Sequence, residues 1–129
     1  MKRLICLILA VLFCICLTSC GEDEIQADAE IKYSVYENEG SDMVSFYLTS
    51  DIEKDGQWEF SHQELKTVNL AHDLDELQDN AYYRTLIFKP KAEGEDILTF
   101  TLANGTAREY LIKVSKDDAG IFRIKVDVK

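Results

Sequence analysis

The sequence predicts an all-β domain: two packed antiparallel sheets made from about eight strands. Three observations carry that expectation. Apolar and polar residues alternate through most of the chain beyond residue 30. The alternating runs are rich in β-branched and aromatic side chains, which suit a half-buried pleated surface. Glycines Gly40, Gly56, Gly94, Gly105 and Gly120 all fall between the runs.

The strands follow in order. Ile31, Tyr33 and Val35 share one parity, then Val44, Phe46 and Leu48, then Trp58 and Phe60. The segment Leu65-Lys66-Thr67-Val68-Asn69-Leu70 is less regular but extended in character. Tyr82, Arg84, Leu86 and Phe88 alternate with Tyr83, Thr85 and Ile87, so the fifth strand is apolar on both faces. Leu98, Phe100 and Leu102 come next, then Tyr110, Ile112 and Val114, then Phe122, Ile124, Val126 and Val128. Pro90 closes the fifth strand, where a missing N–H is tolerated. Asn104-Gly105 between two runs signals a tight hairpin. Asp73-Leu74-Asp75-Glu76 fits a helix N-cap with an acid three residues on, so one helical turn is expected there. Eight short strands with turns between them point to an immunoglobulin-like antiparallel β-sandwich, with a small barrel as the alternative. Trp58 fits core packing in such a sandwich, against the alternative of an exposed ligand platform.

The N-terminus has a different character. Lys2 and Arg3 precede an unbroken apolar run, residues 4–17. At 1.5 Å per residue that run spans roughly 21 Å, short of the ~30 Å hydrocarbon core. Small residues Thr18 and Ser19 follow, and the whole reads as a secretory leader. Leu17-Thr18-Ser19-Cys20, with Gly21 behind it, resembles the lipobox of bacterial lipoproteins. The resemblance implies that residues 1–19 are a cleaved signal peptide and that Cys20 carries a diacylglyceryl group. It implies acyl chains of the palmitate kind and anchoring at the extracytoplasmic face of the bacterial cell membrane, for which two chains suffice. Gly21 does not resemble the aspartate retention signal of diderm bacteria, which favours the outer leaflet of a single-membrane cell. Residues 20–30 then form an acidic tether, and residues 31–129 the sandwich domain. Cys6, Cys14 and Cys16 lie in the leader, so a mature chain lipidated at Cys20 has no thiol for a disulfide. Its core alone must hold it.

Charge narrows the partners. The chain has 14 Lys+Arg and 24 Asp+Glu, a net charge of −10. Without Lys2 and Arg3 the balance is 12 against 24. No nucleic-acid partner is expected, because phosphates reward basic patches. Residues 21–79 carry 3 basic and 17 acidic side chains, whereas residues 80–129 carry 9 and 7. If successive strands reverse direction, loops 51–56, 72–81 and 104–106 share one end of the sandwich. That end collects Asp51, Glu53, Asp55, Asp73, Asp75, Glu76 and Asp79 against Lys54. These seven acids are the candidate binding loops, suited to a basic protein partner.

No catalytic, cofactor or metal motif emerges. Gly-x-Ser-x-Gly and phosphate-cradling loops are absent from the sequence. Ser61, His62 and a nearby acid make a triad no better than chance. His62 and His72 are ten apart without a cysteine partner. Asp73-x-Asp75 opens like a calcium loop, but Leu77 and Gln78 break the pattern. A looser calcium site would draw on Asp73, Asp75, Glu76 and Asp79.

Gly56-x-Trp58 after the second strand, with functional loops at one end, is similar to the chagasin-like inhibitors of cysteine proteases. The likeness is one of architecture. The family's Asn-Pro-Thr-Thr-Gly loop corresponds to Asp51-Ile52-Glu53-Lys54-Asp55-Gly56, and its Arg-Pro-Trp loop is replaced by the Asn104-Gly105 turn. The expected function is a membrane-anchored, non-enzymatic binding module acting through its acidic loops. The alternatives are a structural or accessory subunit of a cell-envelope complex, and a chagasin-like inhibitor lacking the usual motifs.

Overall fold

A computed structural model describes residues 28–60 and 64–129. The leader, Cys20 and the tether up to residue 27 lie outside the described residues, as do Ser61 and His62. The described chain forms eight strands and no helix: β1 (Glu30–Asn38), β2 (Ser41–Asp51), β3 (Glu59–Phe60), β4 (Val68–Gln78), β5 (Ala81–Pro90), β6 (Gly94–Thr101), β7 (Ala107–Lys116) and β8 (Phe122–Val128). They pair into two antiparallel four-stranded sheets, ordered β1-β2-β5-β4 and β3-β6-β7-β8. The two sheets stay separate, so the fold is a sandwich with open edges.

Alternation decides what goes inside. Val44, Phe46 and Leu48 of β2 and Leu86 and Phe88 of β5 line the inner face of the first sheet, each buried. Leu98, Phe100, Tyr110, Ile112, Val114 and Ile124 line the inner face of the second. Aromatic pairs cross the gap: Phe46 to Phe100 at 5.3 Å and Phe60 to Phe88 at 5.6 Å between ring centroids. Trp58 sits just before the two-residue β3, 1% exposed, in the core role. Its indole N–H donates to the Thr49 carbonyl at 2.8 Å, which satisfies the one polar group it buries.

β5 is central in its sheet, which explains its two apolar faces. Tyr82, Leu86 and Phe88 are buried inward, and Tyr83, Thr85 and Ile87 are half-buried outward. Pro90 ends β5 opposite Val68. The β6–β7 turn is closed by Leu102 N–H to the Thr106 carbonyl (2.8 Å) and Gly105 N–H to the Leu102 carbonyl (3.0 Å). Gly105 takes a φ of +96°, as a tight turn requires.

One expectation is corrected. Asp73–Glu76 is not a helical turn, and 72–81 is not a loop. The fourth strand starts at Val68 and runs on to Gln78, paired with β5 through Gln78↔Ala81. The connection is only Asp79 and Asn80, with Asp79 at φ +54°. Ladder hydrogen bonds to β5 override the local N-cap pattern, since a capping box offers two bonds where the hairpin offers a full ladder.

Candidate binding surface

Antiparallel pairing sends the β2–β3, β4–β5 and β6–β7 connections to the same end, and contacts between them verify it. Ile52 N–H donates to the Asn80 carbonyl at 2.8 Å. The Asn80 amide reaches Glu53 Oε1 at 3.3 Å, and the Asn104 amide reaches Asp55 Oδ1 at 3.4 Å. The close approach has a backbone cause. Gly56 has φ +83°, and a Cβ there would stand 2.7 Å from the Ala103 Cβ.

The seven acids do not behave alike. Asp51, 7% exposed at the end of β2, folds its own loop. Its carboxylate accepts the N–H groups of Glu53 (3.0 Å) and Lys54 (3.1 Å), and its carbonyl accepts those of Asp55 and Gly56. Asp73 is held by Arg84, whose Nε and Nη2 donate to the two carboxylate oxygens at 2.9 and 2.8 Å. Arg84 also donates through Nη1 to the Trp58 carbonyl at 3.0 Å, tying β5 to the entrance of β3. The bond to Asp73 holds the guanidinium above its ordinary range, against the opposing effect of burial.

Asp75 lies beside Tyr82, whose hydroxyl is 3.4 Å from Asp75 Oδ2. Burial, followed in size by the opposing influence of Arg84, leaves the Tyr82 phenol above its usual range. Ile52, Gln57, Asp75, Glu76, Leu77 and Tyr82 line a shallow pocket of about 240 Å³. Asp75 and Glu76 on its wall are exposed, as are Glu53 and Asp79 in the connections at this end, and Asp55 is half-exposed. Five of the seven acids therefore remain accessible to solvent at this end. Asp51 and Asp73 are structural.

Strand geometry also separates the acids suggested for calcium. Asp73 and Asp75 point to the inner side of β4, with Leu77, whereas Glu76 points to the outer side with Leu74. Among the described residues no three His, Cys, Asp or Glu side chains gather as metal ligands. His72 is exposed on the outer face opposite Ile87. The β6–β7 turn is short and closed by its own backbone, leaving no extended loop to enter a protease cleft.

Arg84 is the residue that sequence reasoning passed over. Its signal was present: a cation between Tyr82 and Leu86 on an inward parity needs a carboxylate partner. The outer face of the first sheet is a second surface. Register aligns Tyr36 with Met43, Tyr47 with Thr85 and Leu74, and Tyr83 with Glu76. Ser45 is 1% exposed on that face and its hydroxyl lies 3.3 Å from the Tyr36 hydroxyl. The opposite outer face, on the second sheet, mixes charges, with Lys113 3.9 Å from Asp127. No protein-family model, curated protein or solved structure matches the chain.

Proposed function

We propose that the protein is an extracytoplasmic lipoprotein, tethered through lipid on Cys20, whose sandwich is a non-enzymatic binding module. Its acidic end recognises a basic protein partner. The observation behind this reading is that Glu53, Asp55, Asp75, Glu76 and Asp79 keep solvent-accessible side chains at one end of the sandwich, Asp75 and Glu76 lining a pocket there. Lys54 is the amine within the 51–56 connection, and the Arg84 guanidinium is engaged by Asp73 and the Trp58 carbonyl. Strands and short turns hold the carboxylates, so little ordering entropy is lost on association.

A second reading draws on the tyrosine-bearing outer face of the first sheet. Tyr47 is 45% exposed and Leu74 65% exposed, and both lie on this face. A structural or accessory subunit of an envelope complex would dock there.

Crosslinking from native membranes separates the two. Asp75→Lys with Glu76→Lys should abolish partner crosslinks if the acidic end is the interface, while Tyr47→Glu leaves them. The reverse pattern favours the sheet face and rejects the acidic end. Asp73 is left unchanged because its loss would free a largely buried guanidinium. Mass spectrometry of the native protein should find lipid on an N-terminal Cys20, and an intact leader or a bare thiol would refute the tether.

A further inference from the structure

The run of β4 to Gln78 changes what the acidic end can do. Its carboxylates stand on the edge strand of a sheet, and an edge strand has a second row of hydrogen-bonding groups. β4 pairs with β5 on one side and is last in its sheet. Residues 71–79 are all exposed. Among the described residues no strand pairs with the other side of β4, so alternate N–H and C=O groups over Leu74–Gln78 face away from β5. A register irregularity lies between Leu70 and His72, but from His72 to Gln78 the pairing is regular. That stretch contains neither proline nor lysine, two common devices that blunt an edge. Leu74 and Leu77 are 65% and 58% exposed on it.

We propose that the β4 edge, Leu74–Gln78, takes up an extended basic segment of a partner protein as an added strand. This rests on the reading of the acidic end as a recognition surface and deepens it. Charge selects the occupant. In a two-fold antiparallel pairing of β4 with a second copy, facing residues share parity. A register centred on Asp75 sets that carboxylate opposite its own copy, and one centred on Glu76 does the same for Glu76. Like charges in those positions are destabilising, so a second copy is disfavoured. A cationic strand meets the opposite condition. Along Leu74-Asp75-Glu76-Leu77, the facing residues should read apolar, basic, basic, apolar. That order is the same in either direction along the partner. The backbone supplies affinity and the side-chain pattern supplies selectivity.

The test uses the purified full-length protein in detergent and a synthetic peptide with Leu-Lys-Lys-Leu between threonine flanks. Binding is expected, with about tenfold or greater loss for the Leu-Glu-Glu-Leu peptide. Two further peptides carry N-methyl groups on alternate amides, in opposite phases. One phase should bind about tenfold or more weakly and the other like the parent, because an added strand turns only alternate N–H groups to its neighbour. Amide exchange should slow at alternate residues of Leu74–Gln78 when the parent peptide binds. If both methylated peptides bind like the parent and no β4 amide gains protection, strand addition is wrong. In that case, sensitivity to Asp75→Lys with Glu76→Lys would still leave the acidic end as a charge-driven surface. Unchanged binding to that variant would overturn both readings.

Discussion

Asp96 illustrates how this acidic chain uses carboxylates on itself. Burial acts to raise its pKa, but the Thr67 hydroxyl and the N–H groups of Lys66 and Thr67 outweigh that and hold it below the usual carboxylate range. The carboxylate thereby pins the 64–67 segment to β6, 29 residues away in sequence for the Thr67 contact. Because folded Asp96 ionises at lower pH than the unfolded group, its stabilisation is complete above the unfolded value of about 3.9. It disappears as pH falls through the lower folded value. Asp96→Asn should cost about 1–3 kcal/mol at pH 7 and flatten the loss of stability below about pH 4. Urea midpoints from pH 2 to 7 check this, and an acid limb as steep as the wild type's would refute it. Asp51 belongs to the same class. Its carboxylate was assigned to a binding loop by position alone, and its burial against two backbone N–H groups makes it a loop-former.

At the scale of elements, turns show where local chemistry suffices. Glu39 and Gly40 join β1 to β2 with φ of +53° and +83°. A two-residue hairpin turn with both φ positive favours Asn-Gly, and glutamate is a poor fit at the first position. Glu39→Asn should stabilise the domain by about 0.5–1 kcal/mol, read as a rise in Tm. An unchanged or lower Tm would mean that Glu39 makes compensating contacts in the turn. β4 shows the opposite case. Ala71 to Asp79 carries four acids and no clean alternation, so it reads as a capped polar loop. An edge strand needs less burial on either face, and so loses the periodic signal that marked β2 and β5. What holds it is cross-strand: the β5 ladder and the Arg84–Asp73 pair, 11 residues apart.

At the scale of the whole molecule, stability rests on one shared core. The sequence beyond Cys20 has no cysteine, so no disulfide constrains the domain. Phe46 touches the rings of Phe88, Phe100 and Tyr110 and so couples both sheets. At the β1–β8 side, Asp42 closes the sandwich by accepting Ile124 N–H at 2.9 Å and Arg123 Nη1 at 3.2 Å. Phe46→Ala should cost about 3–5 kcal/mol, a large part of the 5–15 kcal/mol typical of a domain. Both sheets should then melt together at a lower Tm, followed by near- and far-ultraviolet circular dichroism. Separate transitions would show that the sheets are independent units.

Period-two alternation by itself determined the strand class, the core residues and the shared end of the 51–56 and 104–106 connections, whereas the 72–81 loop it set beside them is strand up to Gln78. It can do so because side-chain direction in a strand follows directly from sequence parity. Tertiary structure alone decided which acids remain available. Asp51 and Asp73 are occupied by backbone N–H groups and by Arg84, while Asp75 and Glu76 stand exposed on the last strand of their sheet. Availability depends on what lies across the sheet from a residue, and cross-strand neighbours are set by pairing register, which no local window of sequence contains.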